Sequence, residues 1–319
     1  MKPIVTLTMN SSVDIMWEVD KVVTTEKLRA SPGRADPGGG GLNASRVIKA
    51  LDGTTIAVMT AGWFTGHFLR ELVEAHGLLT RIIPIGGLTR ASATIFDRSS
   101  GEEIRVTPPG PELSEAEWSA CLNALFEFDT DYIIATGSLP RGVPVDFYRR
   151  LASKAHARGI RVVLDTSGPA LLEALRAGVY LVKPNLGELE QLAGREIPTQ
   201  ADQEEACRQI LEDGGAEIVA LTLGSRGALL VWKSGSKYLA CPKVEVKSAV
   251  GAGDSFTAAL TLGLAQGRPL EEAFALGLAT GSAAVMTPGT ELCHREDVER
   301  LYRAITGQDL APLAGQAVI

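Results

Sequence analysis

Two hydrophobic periods take turns along the chain. Short apolar runs at Ile4 to Thr8, Thr54 to Met59, Tyr132 to Thr136, Ile160 to Asp165, Tyr180 to Val182 and Ile218 to Thr222 have strand length. Stretches of helical spacing alternate with them. Leu42 to Leu51 sets Ala44, Val47, Ile48 and Leu51 on one face, and further helices are predicted at Gly66 to Ala75, Pro144 to Ala157, Pro169 to Ala177, Gly187 to Ala193 and Gln200 to Asp213. Ser114-Glu115-Ala116-Glu117 carries a capping signature that opens another. Phe256 to Gln266, Leu270 to Met286 and Glu296 to Ile305 close the series. Ala228 to Trp232 and Lys237 to Ala240 form a hairpin about Ser234-Gly235. This alternation predicts an α/β fold with a mostly parallel sheet and helices on both faces.

Two stretches break the rhythm. Val13, Ile15, Trp17 and Val19 alternate with Asp14, Met16, Glu18 and Asp20, as in a two-faced strand. Arg90 to Asp97 and Glu102 to Thr107 read as an antiparallel pair turned at Ser99-Ser100-Gly101. Together they predict a small β-sheet lid, about residues 11–36 and 87–107, on a single domain spanning the chain. Such a sheet has little core of its own. Its apolar face, Val13 to Val19, is expected to pack against a second lid in a homodimer; the alternative is that it covers the same subunit's core. Gly307 to Ile319, with Gly, Pro and Ala, is expected to be loosely held.

Composition narrows the function. The 319 residues include 31 Lys and Arg against 38 Asp and Glu, a net charge of −7, which argues against a nucleic-acid partner. A local basic cluster could still hold an anion. Cys121, Cys207, Cys241 and Cys293 form no CxxC pair, so a zinc site or disulfide framework is not indicated. No apolar run reaches membrane-spanning length and no secretory h-region precedes the first strand, so a cytoplasmic protein without a membrane partner is expected.

The chemistry gathers at glycine-rich strand ends. Val250-Gly251-Ala252-Gly253-Asp254-Ser255 follows the extended Val244 to Lys247 and opens a helix. Its glycines leave amides uncovered in the first turn, where the helix end favours an anion, and Asp254 stands in that turn as a candidate general base. An anion cradle beside a base is what phosphoryl transfer to a hydroxyl requires. The alternative is an ordinary helix start with capping residues. Pro37-Gly38-Gly39-Gly40-Gly41-Leu42-Asn43 is a second such loop, costly in backbone entropy unless the backbone passes close to something. Asn43 in the following turn suits sugar hydroxyls, and a hinge is the competing reading. A P-loop is excluded, since no Gly-Lys dipeptide occurs. In Lys183-Pro184-Asn185-Leu186-Gly187-Glu188, Lys183 could meet a phosphate, while Asn185 and Glu188 could hold Mg²⁺ through water. Asp165 could assist Mg²⁺ or cap its loop. Thr222-Leu223-Gly224-Ser225-Arg226-Gly227 and Gly137-Ser138-Leu139-Pro140 have the same strand-end placement.

In this order, over roughly residues 1 to 305, the motifs resemble the phosphofructokinase B family of ribokinase-like carbohydrate kinases. The two glycine loops carry most of the likeness. The resemblance implies a three-layer α/β/α ribokinase-like core with a β lid, and MgATP as phosphoryl donor. It implies Asp254 as base, with Gly251, Ala252 and Gly253 as the anion hole. Lys183, Asn185, Thr222, Gly224, Arg226, Gly227 and Ser282 would line the ATP site, with Mg²⁺ served by Glu188 and Asp165. Asp14, Gly38, Gly39, Asn43 and Ser138 would hold the sugar, and Ser248, Val250 and Gly289 would hold a monovalent cation, K⁺. One departure is Asp52, where the first signature usually has Gly or Ser; it puts the local turn in question.

The lid supplies Lys27, Arg29, Arg90 and Arg105, cations suited to a sugar phosphate. For any one of them, a solvated edge charge is the bland reading. Position 40 is Gly, where fructose 1-phosphate and tagatose 6-phosphate kinases usually carry Lys. With Lys27-Leu28-Arg29, this is most similar to the 6-phosphofructokinase pattern, so phosphorylation of fructose 6-phosphate at O1 is expected. The alternatives are 1-phosphofructokinase or tagatose 6-phosphate kinase activity, or a non-catalytic sugar-binding regulator on the same fold. Asp254 and both glycine loops speak against the last.

Overall fold

The computed structural model describes residues 1–310. β1 (Ile4–Thr8) leads into β2 (Ser12–Val19) and β3 (Arg34–Gly38), and α1 (Gly40–Ala50), β4 (Thr55–Ala61), α2 (Trp63–Ala75) and β5 (Leu79–Pro84) follow. β6 (Arg90–Asp97) and β7 (Glu102–Val106) precede α3 (Glu115–Ala124), β8 (Tyr132–Thr136), α4 (Phe147–His156), β9 (Arg161–Asp165), α5 (Gly168–Leu175) and β10 (Val179–Val182). Then come α6 (Leu186–Ala193), α7 (Gln200–Glu212), β11 (Ala216–Thr222), β12 (Gly227–Trp232), β13 (Gly235–Ala240), α8 (Ala252–Ala265), α9 (Leu270–Ala284) and α10 (Arg295–Thr306).

The larger sheet runs β13-β12-β11-β10-β9-β8-β1-β4-β5. It is parallel from β5 to β11, and the β12–β13 hairpin adds an antiparallel edge. Alternation along each strand makes two cores. Ile133 and Ala135 of β8 pack with Phe147, Leu151, Leu171 and Cys207 from one helical layer. Tyr132 and Ile134 pack with Val47, Phe256, Phe274 and Tyr302 from the other. That is the three-layer α/β/α arrangement. No helix among the described residues is long and apolar enough to cross a membrane.

Several elements differ from the sequence reading. β3 and β5 are additional strands, both at sheet edges. β3 contains Pro37 and charged residues, tolerable only because an edge strand pairs on one side. α1 starts at Gly40, inside the glycine run, and α2 starts at Trp63, which takes a left-handed φ of 59°. Asp52 also lies in the left-handed region, φ 58°, and ion-pairs with Arg295. Asp tolerates that conformation better than most side chains, which accounts for its presence where glycine is usual. Of the predicted loose end Gly307 to Ile319, residues 311–319 lie outside the described residues.

The smaller sheet is ordered β3-β2-β6-β7, with β2 and β6 parallel. Its apolar face divides. Val13, at the end next to the larger sheet, packs with Leu42, Met59 and Leu69 of the same subunit, and Ile15 lies against that cluster. Farther out, Trp17, Ile95 and Ile104 are register neighbours on three strands, and Ile104 is 44% exposed. The inner end therefore covers the subunit's own core; farther out Val19 is buried, Trp17 and Ile95 are half-buried, and Ile104 is exposed.

Asp36 of β3 ties this sheet to the body. Its buried carboxylate accepts from Thr290 Oγ1 at 2.6 Å and pairs with Arg34 Nε at 2.8 Å, Arg46 Nη2 at 3.3 Å and His76 Nε2 at 3.4 Å. Burial pushes its pKa up, but His76, Thr290, Arg46 and Arg34 together hold it far below the usual carboxylate range. A depressed carboxylate adds stability above its unfolded pKa of about 4, and that stability fades only as pH falls toward the folded value. Asp36→Ala, which strands Arg46 as a buried cation, should cost ~3–5 kcal/mol. A urea unfolding midpoint unchanged at pH 7 would show that the cluster contributes nothing.

Candidate active site

Ligands of open parallel sheets bind beyond the carboxyl ends of strands where the order reverses. Here that point lies between β1 and β8, and both glycine loops converge on it. In the first loop Gly39 caps α1 with φ 111°, a conformation glycine alone adopts without strain. The run approaches its neighbours closely. A Cβ built on Gly41 would lie 2.3 Å from Leu7 O, and one on Gly38 would lie 2.3 Å from the Asp14 carboxylate. In the second loop Gly251 caps α8 at φ 71°. The first α-helical bond of α8 is Ser255 N–H to Gly251 O, 2.8 Å. The amides before it lack such partners, apart from a long 3.5 Å bond from Ala252 N–H to Ala249 O.

Asp254 lies in this first turn, and its Oδ2 accepts from Asn43 Nδ2 at 2.9 Å, joining the two loops. Burial pushes the Asp254 pKa up and the Asp165 carboxylate adds to it. Asn43 and Lys183 oppose the rise, Asp14 reinforces it, and the balance is a pKa of about 6. Lys183 is buried with Nζ 3.2 Å from Asp165 Oδ2. Burial lowers its pKa, but Asp165, and then Glu188 and Asp254, outweigh that and keep it charged.

The first turn of α8 separates two cavities. One, of 230 Å³, is lined by Asp14, Gly39, Asn43, Arg90, Arg105 and Asp254 and lies under the small sheet. The other, of 790 Å³, is mostly apolar, with Val246, Phe256 and Val285 along its walls and Asn185, Thr222 and Gly224 at one end. Gly251 borders the first, Ala252 and Gly253 the second. A larger concavity of 1060 Å³ opens at the amino ends of β9 to β11, around Arg161 and Tyr180, away from both glycine loops.

The sequence-predicted residues divide accordingly. Gly227 and Ser282 join Asn185, Thr222 and Gly224 around the 790 Å³ cavity, and Ser282 Oγ lies 3.3 Å from Cys241 Sγ. Arg226 is exposed and lines neither cavity. Asn185 and Glu188 form a reciprocal capping box at α6, so the Glu188 carboxylate already accepts from Asn185 N–H at 2.8 Å. Asp165 Oδ2 is 3.9 Å from the point a Gly253 Cβ would occupy, beside the α8 cradle. Ser138 is exposed and accepts from Asn10 Nδ2 at 3.2 Å. Ser248 Oγ accepts from Val250 N–H at 3.3 Å, and a Cβ on Gly289 would meet Met16 Sδ of the small sheet. Lys27 and Arg29 do not reach the smaller cavity. β2 runs outward from Ser12 beside Arg90 to Val19 beside Asp97, so the loop after it lies at the far end of the small sheet.

Three contributors were missed. Thr136 ends β8 with a buried hydroxyl beside Gly40. Thr290 lines the smaller cavity while bonding Asp36. Glu103 of β7 accepts from Ser248 Oγ at 3.2 Å, joining the small sheet to the loop before α8. Only Thr136 had a signal in the sequence, its place at a strand end before Gly137-Ser138.

Residues 7–297 match the family model for the pfkB family carbohydrate kinases. The ATP-dependent 6-phosphofructokinase isozyme 2 of Mycobacterium tuberculosis is 40% identical over 301 residues, 94% of this chain and 88% of that protein. The enzyme of the same name from Escherichia coli K12 is 36% identical over 94% of this chain and 97% of its own. The crystal structure of phosphofructokinase-2 from Escherichia coli in complex with potassium superposes with a TM-score of 0.91 at 36% identity, over 95% of this chain and 99% of that one. Structures of that protein are also described in complex with fructose-6-phosphate and as a tetrameric inhibited form.

A raised carboxylate pKa has a thermodynamic consequence with a definite sign. Asp254 takes up its proton near pH 6 in the fold and near 3.9 unfolded, so ionising it opposes folding. The cost is absent below about pH 4, grows between 4 and 6, and is complete above. Asp254→Asn should therefore stabilise the protein at pH 7.5 by at most ~2–3 kcal/mol, with the gain shrinking toward pH 4. Thermal melts at both pH values check this, and an equal gain at each would show that the carboxyl is not shifted.

Proposed function

The chain belongs to the pfkB family of carbohydrate kinases, and on that premise we propose that it transfers the terminal phosphoryl group of ATP to the C1 hydroxyl of fructose 6-phosphate. The products are fructose 1,6-bisphosphate and ADP. The observation that carries this reading is the single helix turn, bearing Asp254, between a polar cavity and an apolar one. A reaction joining a sugar hydroxyl to a nucleotide phosphate needs the base and the anion cradle at that boundary.

In this reading the sugar occupies the 230 Å³ cavity. Asp254, ionised for the most part at neutral pH, takes the C1 hydroxyl proton as the O1–P bond forms and the bond to the β-phosphate oxygen breaks. Asn43 holds Oδ2 and thereby aims the other carboxylate oxygen toward Gly40. The amides of Gly251, Ala252 and Gly253, with Lys183, meet the charge that spreads over the transferred group. Asp14, Gly38, Gly39 and Ser138 are proposed sugar contacts. Arg90 suits the 6-phosphate. Its guanidinium donates to Asn10 O at 3.0 Å and Pro108 O at 3.4 Å, while its buried Nε–H has no acceptor among the described residues. Arg105 lines the same cavity.

ATP fits the 790 Å³ cavity, its base against Val246, Phe256 and Val285 and its phosphates toward Asn185, Thr222 and Gly224. Asp165, paired with Lys183, and Glu188, capping α6, would hold Mg²⁺ through water. When bound it neutralises charge on the phosphates. A monovalent cation at Ser248, Val250 and Gly289 is proposed by analogy with the potassium complex of the Escherichia coli protein. The 6-phosphofructokinase reading is favoured over the fructose 1-phosphate and tagatose 6-phosphate alternatives by Gly40. A Cβ there would lie 1.8 Å from Thr136 Oγ1 and 2.7 Å from Asp254 Oδ1, leaving no room for the Lys usual in those enzymes.

A phosphorylation screen over fructose 6-phosphate, fructose 1-phosphate, tagatose 6-phosphate and ribose tests the assignment. The highest kcat/KM should fall on fructose 6-phosphate; a higher value for any other sugar overturns it. In the same assay Asp254→Asn should lose ~10²–10⁴-fold in turnover. Arg90→Ala should lose ~1.5–3 kcal/mol of transition-state stabilisation toward the phosphorylated sugar, with the KM for ATP little changed.

The lid also suits self-association. We propose that two copies pair through the outer apolar face, where Ile104 is exposed and Trp17 and Ile95 are half-buried. Trp17→Asp should convert dimer to monomer in sedimentation. A wild type that sediments as a monomer rules the pairing out.

A further inference from the structure

We propose that Glu103 is a positioning residue: through Ser248 it makes the small sheet, once that sheet holds a phosphorylated sugar, fix the loop that leads into the α8 anion cradle. The inference rests on the kinase reaction proposed above and says how the phosphate at one end of the sugar acts on the reacting end.

β7 is an edge strand, exposed at every position except Glu103. Glu103 and Arg105 are two residues apart and share one face of it. Arg105 lines the 230 Å³ cavity, and its guanidinium makes no hydrogen bond or ion pair among the described residues. Glu103 reaches the loop before α8 instead. Ser248 Oγ donates to Glu103 Oε2 at 3.2 Å and accepts from Val250 N–H at 3.3 Å. Ser248 and Val250 are buried, and Ala249 and Val250 line the same cavity as Arg105. The next residue, Gly251, caps α8. Two hydrogen bonds in series therefore join a strand that carries a free cation to the backbone entering the cradle.

No other side-chain hydrogen bond or ion pair ties β7 to the larger unit among the described residues. The opposite edge, β3, has the Asp36 cluster. The loop itself is held from one side only. Lys247 N–H and Ser248 N–H donate to Val285 O at 2.7 and 3.3 Å, whereas Val250, beside the cradle, depends on Ser248 Oγ. The hold from Glu103 is incomplete. Its Oε1 is buried with no partner among the described residues. Drawing a carboxylate out of water against one hydroxyl costs more than that bond returns, so the contact needs a second hold on β7. A phosphate bound by Arg105 supplies it through charge-assisted hydrogen bonds. Each hold orders the strand for the other, which makes the two cooperative.

Glu103→Ala removes the acceptor, and Glu103→Gln keeps an oxygen that Ser248 can reach. At saturating ATP and K⁺ the alanine variant should lose about five- to fiftyfold in kcat for fructose 6-phosphate, with the KM for ATP within about twofold. Glutamine should recover most of the loss. In an Arg105→Ala background the same alanine change should cost less than about twofold, because the second hold is already gone. Equal losses in the two backgrounds, a glutamine variant as poor as alanine, or an alanine variant with full activity overturns the proposal. So does a loss confined to low K⁺, which would make Glu103 a residue that serves the cation. Hydrogen exchange reads the coupling without turnover. Fructose 6-phosphate should slow exchange at residues 247–253 in the wild type and leave it unchanged in Glu103→Ala. That pattern in a protein that phosphorylates none of the screened sugars would sink the kinase reading and leave the coupling standing. No slowing there in the wild type, or equal slowing in both proteins, would sink the coupling alone.

Discussion

A carboxylate in the first turn of a buried helix is the constraint on which the rest of this structure depends. The helix end favours a negative charge, yet burial and the neighbouring Asp165 disfavour it, and the pKa of Asp254 settles at about 6. Two groups keep it from rising further: the amide of Asn43, carried on α1, and the ammonium of Lys183, carried at the end of β10. Neither helps unless α1, α8 and the sheet keep their relative positions. The core beneath ensures this. α8 and α9 approach closely at small residues, with a Gly263 Cβ only 2.9 Å from Ala273 and a Gly277 Cβ 3.0 Å from Phe256 O, and Phe256 packs edge-on to Phe274 at 6.0 Å. The stability that offsets the cost of ionising Asp254 is thus supplied by apolar packing between α8 and α9.

The small sheet depends on the body in a similar way. Four strands with one half-exposed apolar face bury too little to stand alone. Val13 seats the inner end on Leu42 and Leu69, and Asp36 pins β3 through Arg46 of α1, His76 beside α2 and Thr290 after α9. A buried charge cluster specifies position more than it adds stability, because each ion loses hydration that its partners must replace. Glu103 adds a lighter contact to Ser248, two residues before Val250 in the loop that enters α8. The small sheet over the 230 Å³ cavity is therefore tied to the body at both its edge strands, through Asp36 of β3 and through Glu103 of β7.

Much of this was legible in the sequence, for particular reasons. The central strands read as apolar runs because they are buried on both faces, and Asp254 with its glycines stood out because nothing structural demands that many glycines before a helix. β3 and β5 were invisible because edge strands need neither unbroken apolar runs nor strict alternation. Asp36 gave no sign, since its partners Arg46, His76 and Thr290 are up to 254 residues away in sequence. The basic residues of the small sheet were only half legible. Strand positions suggested a shared location for Lys27, Arg29, Arg90 and Arg105, but direction along β2 separates them by the length of the strand.

The pKa of Asp254 also bears on why the two loops are bonded to each other at all. A base near 6 is largely ionised at neutral pH, yet basic enough to receive a proton from an alcohol whose oxygen is losing electron density to phosphorus. Without Asn43 and Lys183, burial beside Asp165 would push the Asp254 pKa higher still. Asn43 contributes a neutral donor that lowers the pKa more than the Lys183 cation does and fixes one oxygen in place. That leaves Oδ1 free toward Gly40, which lines the 230 Å³ cavity, so the same hydrogen bond that lowers the pKa also decides which carboxylate oxygen faces that cavity.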